Sequence, residues 1–112
     1  MKKFTIVLIM LIGIANISLA NEVKYDGFSN PESVAEGPDG YIYVSEIGET
    51  DKDGDGKISK IDKKGNITPF ATGLYDPKGI VFYKEKLYVT DRDVIIEIDT
   101  DGTWSVFGST MA

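Results

Sequence analysis

Two stretches of the chain carry the same pattern, KISKIDKKGNITPF at residues 57–70 and VIIEIDTDGTWSVF at residues 94–107. Upstream of each, PESVAEGPDGYIYVSE (31–46) and PKGIVFYKEKLYVTD (77–91) also match in order. Alternating β-branched and aromatic residues, separated by glycine-containing turns, predict four short strands in each copy. The sequence therefore predicts an all-β fold made of two copies of one four-stranded antiparallel unit.

The spacing between the copies changes part-way along the repeat. Tyr43 matches Tyr88, 45 residues later, whereas Ile61 matches Ile98, only 37 residues later. The first copy therefore holds eight residues that the second copy lacks, and the acidic stretch DKDGDG (51–56) lies among them. We interpret this stretch as an insertion into a unit that folds without it.

A four-stranded unit repeated about every 40 residues is typical of β-propeller blades. Such a unit has two apolar faces, and it buries them by stacking against neighbouring units. We predict one blade at about residues 28–74, with a calcium-like loop at 48–57, and a second blade at about 75–112. A small β-sandwich or meander is the alternative that the same strands would allow.

The first twenty residues read as a targeting segment. Two lysines open MKKFTIVLIMLIGIANISLA, an apolar run follows, and the stretch ends on small residues. This order predicts a cleaved signal-peptide helix over residues 1–20, and an exported protein that is periplasmic or extracellular. A transmembrane anchor is the alternative, but the apolar run is shorter than the roughly 20 residues that a bilayer requires.

Composition excludes several function classes. The chain has a formal net charge of −6, and losing the two lysines of the predicted signal peptide would leave −8. An acidic chain is a poor partner for nucleic acid or anionic lipid. Cysteine and histidine are both absent, which excludes a thiol nucleophile, a disulfide framework and a histidine base or metal ligand.

The insertion has the ligand spacing of an EF-hand calcium loop. Such a loop takes carboxylates at its first, third and fifth positions, glycine at the sixth, and a backbone carbonyl at the seventh. We predict a structural calcium ion here, with a bare exposed turn as the alternative. The residues at these positions and at the ninth are Asp51, Asp53, Asp55, Gly56, Lys57 (through its carbonyl) and Ser59.

The twelfth position and the flanks of the loop differ from an EF-hand. Asp62 stands where a bidentate glutamate is usual, but it matches Asp99 of the copy without a loop, so the repeat already explains it as a turn residue. Glu46 or Glu49 could supply the missing carboxylate. Because strands rather than helices flank the loop, no helix pair exists that calcium could open.

Taken together, the motifs resemble a known group of proteins. YIYVSEIG (41–48), DGDGKISKID (53–62), DPKGIVF (76–82) and LYVTD (87–91) occur in an order similar to that of secreted bacterial propellers of the senescence marker protein, gluconolactonase and strictosidine-synthase-like group, and of related NHL-repeat propellers. The resemblance implies six blades and a protein roughly three times as long. Two blades would then need further blades to close a ring.

The resemblance also implies a site on the propeller axis. Glu32 stands where such propellers place one ligand of a divalent metal in the central channel, and Lys78 is the matching residue of the second copy. The resemblance places the remaining ligands on later blades. Charges that merely line the channel are the alternative.

Five side chains are predicted from the repeat to have structural roles. Glu46 and Asp91 both end the second strand of a copy, where a carboxylate commonly accepts hydrogen bonds from backbone amides. Trp104 and Phe107, with Phe70 in the other copy, are expected to pack between blades.

Two function classes fit these expectations. The first is a metal-dependent lactone or ester hydrolase, in which a channel metal polarises the carbonyl, and the resemblance favours this class. The second is a non-catalytic secreted propeller that binds a small molecule, a glycan or a protein. We expect the two-blade chain alone to be inactive as an enzyme.

Overall fold

The computed structural model describes the backbone of residues 3–14 and 17–110 and the side chains from Lys24 to Thr110. The prediction of an all-β fold is confirmed, since every regular element in this part of the chain is a strand. None of its elements is a helix long and apolar enough to cross a membrane. The strands are β1 (Lys3–Ile14), β2 (Ile17–Ser29), β3 (Pro31–Glu36), β4 (Ile42–Glu46), β5 (Gly56–Ile61), β6 (Ile67–Leu74), β7 (Pro77–Tyr83), β8 (Lys86–Asp91), β9 (Val94–Ile98) and β10 (Trp104–Ser109).

Each predicted copy forms one antiparallel sheet in which neighbours in sequence are neighbours in space. The first sheet has the order β3-β4-β5-β6, and the second has the order β7-β8-β9-β10. Left-handed glycines occupy the turns, as at Gly65 (φ 89°) and Gly102 (φ 88°), where a side chain would be strained. Gly102 is also forced by packing, because a Cβ there would lie 2.1 Å from the Phe70 carbonyl oxygen.

The two sheets share one strand register. Tyr43 pairs with Lys60 in the first sheet, and the matching Tyr88 pairs with Glu97 in the second. The turns match as well: Gly65 donates to the Asp62 carbonyl at 3.0 Å, and Gly102 donates to the Asp99 carbonyl at 2.9 Å. The sequence alignment of the two copies is therefore confirmed pair by pair.

The sheets stack face against face, and β7 contacts β3, β4 and β5 of the first sheet. One core cluster crosses the interface. Its buried members from the first sheet are Tyr43, Ile58, Ala71 and Leu74, and those from the second sheet are Leu87, Val89, Ile96 and Ile98.

Aromatic rings close the end of this interface. The Tyr43 ring meets Phe70 of its own sheet at a centroid distance of 5.0 Å and Phe82 of the second sheet at 4.9 Å, both edge to face. The Trp104 indole donates across the interface to the Thr72 carbonyl at 2.8 Å. Trp104 thus contacts the neighbouring sheet, as predicted, and Phe70 packs against the core cluster that spans both sheets.

The other face of the first sheet is covered by the end of β2. Phe28, Val44 and Ile61 are buried together there, with Tyr25 and Ile42 packed against them. The first sheet is therefore covered on both faces, whereas the described residues cover only one face of the second sheet.

Two expectations require correction. The segment predicted as a signal-peptide helix is described as the strands β1 and β2, which pair antiparallel. An unbroken run of β-branched and other apolar residues suits a strand as well as a helix, so periodicity alone cannot separate them. Phe107 was expected between blades, but it is 63% exposed and contacts Tyr88 of its own sheet at 5.3 Å. It lies on the uncovered face, where no second sheet meets it within residues 24–110.

Candidate functional site

The acidic loop (residues 48–57) follows β4 and runs into the first two residues of β5, at one end of the first sheet. Asp51 and Asp53 are exposed there, and Asp55 is half-buried. The Asp55 carboxylate accepts a hydrogen bond from the Glu49 amide at 2.8 Å. It lies so close to Gly48 that a Cβ on that glycine would meet the Asp55 Cγ at 2.6 Å. Glycine at position 48 therefore makes room for the carboxylate.

A guanidinium group ties the acidic loop to the second sheet. Arg92, in the turn between β8 and β9, forms ion pairs with Asp53 of the loop and with Asp76, the latter at 2.9 Å. Its guanidinium also lies 5.0 Å from the centroid of the Tyr75 ring. The hydrogen bonds to Asp76 and then to Asp53 raise the pKa of Arg92. The turn of one sheet thus neutralises part of the charge on the other sheet's loop.

The donor atoms of the acidic loop suit calcium, which prefers carboxylate and carbonyl oxygens. The Asp55 Oδ1 atom is inaccessible to water and has no hydrogen-bond partner, which leaves a buried acceptor available for a cation. The described geometry nevertheless differs from an EF-hand loop. Gly54 rather than Gly56 has a positive φ, at 84°, and Gly56 begins β5.

The predicted ligands are not all brought together. Among the residues with described side chains, no group of three or more carboxylates lies close enough to hold a metal ion. Lys57 and Ser59 lie in the ladder of β5, and the Ser59 hydroxyl donates to Glu46. Calcium binding at the acidic loop remains a prediction.

Asp62 acts in a turn, as the repeat suggested. Its Oδ1 atom accepts hydrogen bonds from the Lys64 and Asn66 amides, both at 2.9 Å. These bonds, led by those from Asn66, lower the pKa of Asp62. Its carboxylate is thus engaged in closing the turn between β5 and β6, where Asp99 occupies the matching place in the second sheet.

Glu46 and Asp91 are buried carboxylates that bind backbone amides. Glu46 accepts from the Ser29 amide at 2.8 Å, and Asp91 accepts from the Tyr75 amide at 2.9 Å. Asp91 also accepts from the Asp76 amide at 2.6 Å. This confirms the interpretation of both residues as amide acceptors. Each carboxylate fastens the segment that leads into the first strand of its own sheet.

Glu32 and Lys78 occupy matching places, each as the second residue of its sheet's first strand, in β3 and β7. Both side chains are exposed. The Glu32 carboxylate has no hydrogen-bond donor or cation partner among residues 24–110. Because β3 and β7 lie side by side, this edge of the stack presents one free acid and one base.

A cleft between the sheets was not anticipated from the sequence. It has a volume of about 320 Å³, and the aromatic rings of Tyr43, Phe70 and Phe82 form one wall. The Tyr43 hydroxyl donates to Asp39 at 2.6 Å, and burial together with this bond raises the pKa of Tyr43. The sequence pattern did not indicate this cleft, because it forms where turns that are distant in sequence meet.

The chain was compared with protein-family models, with curated proteins and with solved structures, and none of the three comparisons gave a match. The resemblance to secreted propellers therefore rests on the motifs alone.

Proposed function

We propose that the two sheets are consecutive blades of a β-propeller, and that the chain is an exported propeller protein. The observation that carries this proposal is the stacking of two sheets with one shared register, placed so that their first strands are neighbours. In a propeller, the first strands of successive blades face the axis and the sheets stack around it.

The proposed ligand site lies at the starts of the first strands, where Glu32 and Lys78 are exposed. A free carboxylate accepts hydrogen bonds from hydroxyl groups, and an ammonium binds a carboxylate or another oxyanion. A small polyhydroxylated acid or its lactone offers both kinds of partner. We propose that the two-blade chain binds such a ligand without converting it.

The second candidate is a metal-dependent lactone or ester hydrolase. It is favoured by the unpaired carboxylate of Glu32, which is the one ligand of the resembling propellers' channel metal that this chain could supply. A bound divalent cation would polarise the lactone carbonyl. Lys78 opposes this activity, because a neighbouring ammonium repels a divalent cation.

The two candidates are separated by measuring binding and turnover with the same ligands. The full chain is titrated calorimetrically with gluconolactone and gluconate, and hydrolysis is followed with added Mn²⁺, Zn²⁺ or Ca²⁺. We expect binding without turnover, weakened about threefold by Glu32→Gln or Lys78→Gln, as for an exposed ion pair worth about 0.7 kcal/mol. Glu36→Gln, on the same strand, is the matched control.

Metal-stimulated turnover that disappears in Glu32→Gln would replace the binding proposal with the hydrolase. If neither binding nor turnover is detected, both candidates are wrong. The stacking of the sheets is not affected by that result, because a separate experiment tests it.

We also propose that the acidic loop holds one calcium ion as a structural clip. Its support is the DxDxDG spacing and the buried, unpaired Asp55 Oδ1 atom. The ion would join the carboxylates of Asp51, Asp53 and Asp55 and so fix the path of the chain between β4 and β5. Since no helices flank the loop, its contribution would be to stability rather than to signalling.

A further inference from the structure

One face of the second sheet is left uncovered by residues 24–110. We call it the open face, and it consists of Val81, Tyr88, Thr90, Ile95 and Phe107. Val81 is 60% exposed and Phe107 is 63% exposed. Soluble proteins seldom leave several large apolar side chains side by side in water unless they serve an interaction. The open face is therefore a candidate for contact with another protein surface.

The matching face of the first sheet shows what such a surface contacts. There Tyr43 and Ile58, which correspond to Tyr88 and Ile95, are almost fully buried by the second sheet. Tyr43 is enclosed by Phe70 and by Phe82 from the neighbouring sheet. Tyr88 contacts Phe107 just as Tyr43 contacts Phe70. Within residues 24–110, no ring contacts Tyr88 as Phe82 contacts Tyr43.

Ser45 of the first sheet and Thr90 of the second sheet place a hydroxyl group at equivalent positions. Ser45 accepts from the Ser33 amide at 3.0 Å and donates across the interface to the Lys78 carbonyl at 2.6 Å. The corresponding Thr90 accepts from the Gly79 amide at 2.9 Å. Its own proton reaches only the Gly79 carbonyl, at 3.4 Å, which is at the limit of a hydrogen bond. A better acceptor would come from a further sheet.

The stacking already continues on the opposite side of the molecule. KYDGFSN (24–30) aligns with FATGLYD (70–76), the end of the first sheet's last strand and the link that follows it. Gly27 and Gly73 share a positive φ, at 98° and 80°. Phe28, like its counterpart Leu74, is buried against the next sheet.

The links after these two segments match as well. The Ser29 amide donates to Glu46, just as the corresponding Tyr75 amide donates to Asp91. Residues 24–30 therefore stand where the outermost strand of a preceding sheet would stand. One packing relation is thus used twice in this chain, once by residues 24–30 on the first sheet and once by the first sheet on the second.

We propose that the open face binds a further four-stranded antiparallel sheet of the same repeat. The proposal rests on the assignment of the sheets as propeller blades and names the interface that extends the stack. The partner would present an aliphatic face like that of Leu87, Val89 and Ile98. Its first strand would add a phenylalanine ring to Tyr88, as Phe82 does for Tyr43, and a backbone carbonyl to the Thr90 hydroxyl.

The test is to extend the full chain by a second copy of residues 76–112. Because the repeat at this point spans 37 residues, the duplicate follows Ala112 in register. The duplicate carries Phe107→Leu, so that a peptide containing Phe107 reports only on the original open face. We expect hydroxyl-radical labelling of that Phe107 to fall at least threefold on extension, towards the labelling of the interface residue Phe70 in the same chain.

A second variant tests the proposed hydrogen bond to the Thr90 hydroxyl. Thr90→Val in the original sheet removes one proposed hydrogen bond, worth about fivefold in the docking equilibrium. It should partly restore labelling in the extended chain and leave labelling of the unextended chain unchanged. Analytical ultracentrifugation of the unextended chain accompanies both measurements.

Unchanged labelling of Phe107 with a folded duplicate would overturn the proposal. Concentration-dependent dimerisation of the unextended chain that protects Phe107 would also overturn it, since a second copy would then be the occupant. Either result would leave the observed contact between the first and second sheets intact, so failure here is distinguishable from failure of the blade assignment.

Discussion

Removing the Ser45 hydroxyl tests whether the two sheets are joined as blades. Ser45 is fully buried, and its hydroxyl links the Ser33 amide of its own sheet to the Lys78 carbonyl of the second sheet. Ser45→Ala would leave both groups without that partner. Each lost bond costs about 1 kcal/mol, and an unsatisfied buried group costs about 1–3 kcal/mol. We therefore expect a loss of about 2–3 kcal/mol in the free energy of unfolding.

The matched control is Thr90→Ala, at the corresponding place in the second sheet. Thr90 is exposed and accepts one hydrogen bond from the Gly79 amide, so we expect a loss of about 0.5–1 kcal/mol. Urea unfolding, followed by circular dichroism and by the fluorescence of Trp104, gives both values. Equal effects of the two variants, or a Ser45→Ala chain within 0.5 kcal/mol of the parent, would refute the reasoning.

Two further predictions concern the loop and the cleft. One millimolar Ca²⁺ should stabilise the full chain by about 2.7 kcal/mol if the dissociation constant is about 10 μM. Asp55→Asn should remove this stabilisation, and Arg92→Gln should tighten calcium binding because it frees Asp53. A melting curve that calcium leaves unchanged would contradict the structural clip. Because burial raises the pKa of Tyr43 above its ordinary 10.0, the stability from its neutral form is complete below pH 10 and declines as pH rises through the raised folded pKa. The Tyr43→Phe variant should therefore lose less free energy of unfolding than the parent chain between pH 10 and pH 12. If the two chains lose the same amount, ionisation of Tyr43 does not destabilise the fold.

Much of the fold could be predicted from the sequence because strand periodicity and turn glycines are local signals. The repeat also fixed the register, since Tyr43 and Tyr88 occupy equivalent places in the ladder. The extent of the repeat was harder to recognise. Residues 24–30 and 70–76 have only one identical aligned residue, a glycine. Their correspondence is seen in the positive φ of that glycine and in the burial of the residue after it, rather than in residue type.

The candidate site could be predicted less well, for a physical reason. The spacing of ligands along a loop indicates which atoms could bind an ion. It does not indicate whether another charged side chain pairs with those atoms instead. Arg92 lies 39 residues from Asp53 in sequence and pairs with it only because the sheets stack. The contact between the Tyr43 and Phe82 rings, in the wall of the cleft, depends on stacking in the same way.

The unequal loops of the two sheets bear on the order in which the protein folds. Nine residues (47–55) connect β4 to β5, whereas two residues (92–93) connect β8 to β9. Closing the longer connection costs about 1 kcal/mol more in chain entropy. The central hairpin of the second sheet should therefore form early and serve as the template on which the first sheet assembles. Folding-rate measurements on variants of β8 and β5 would show this as a larger fraction of native contacts in the transition state at β8.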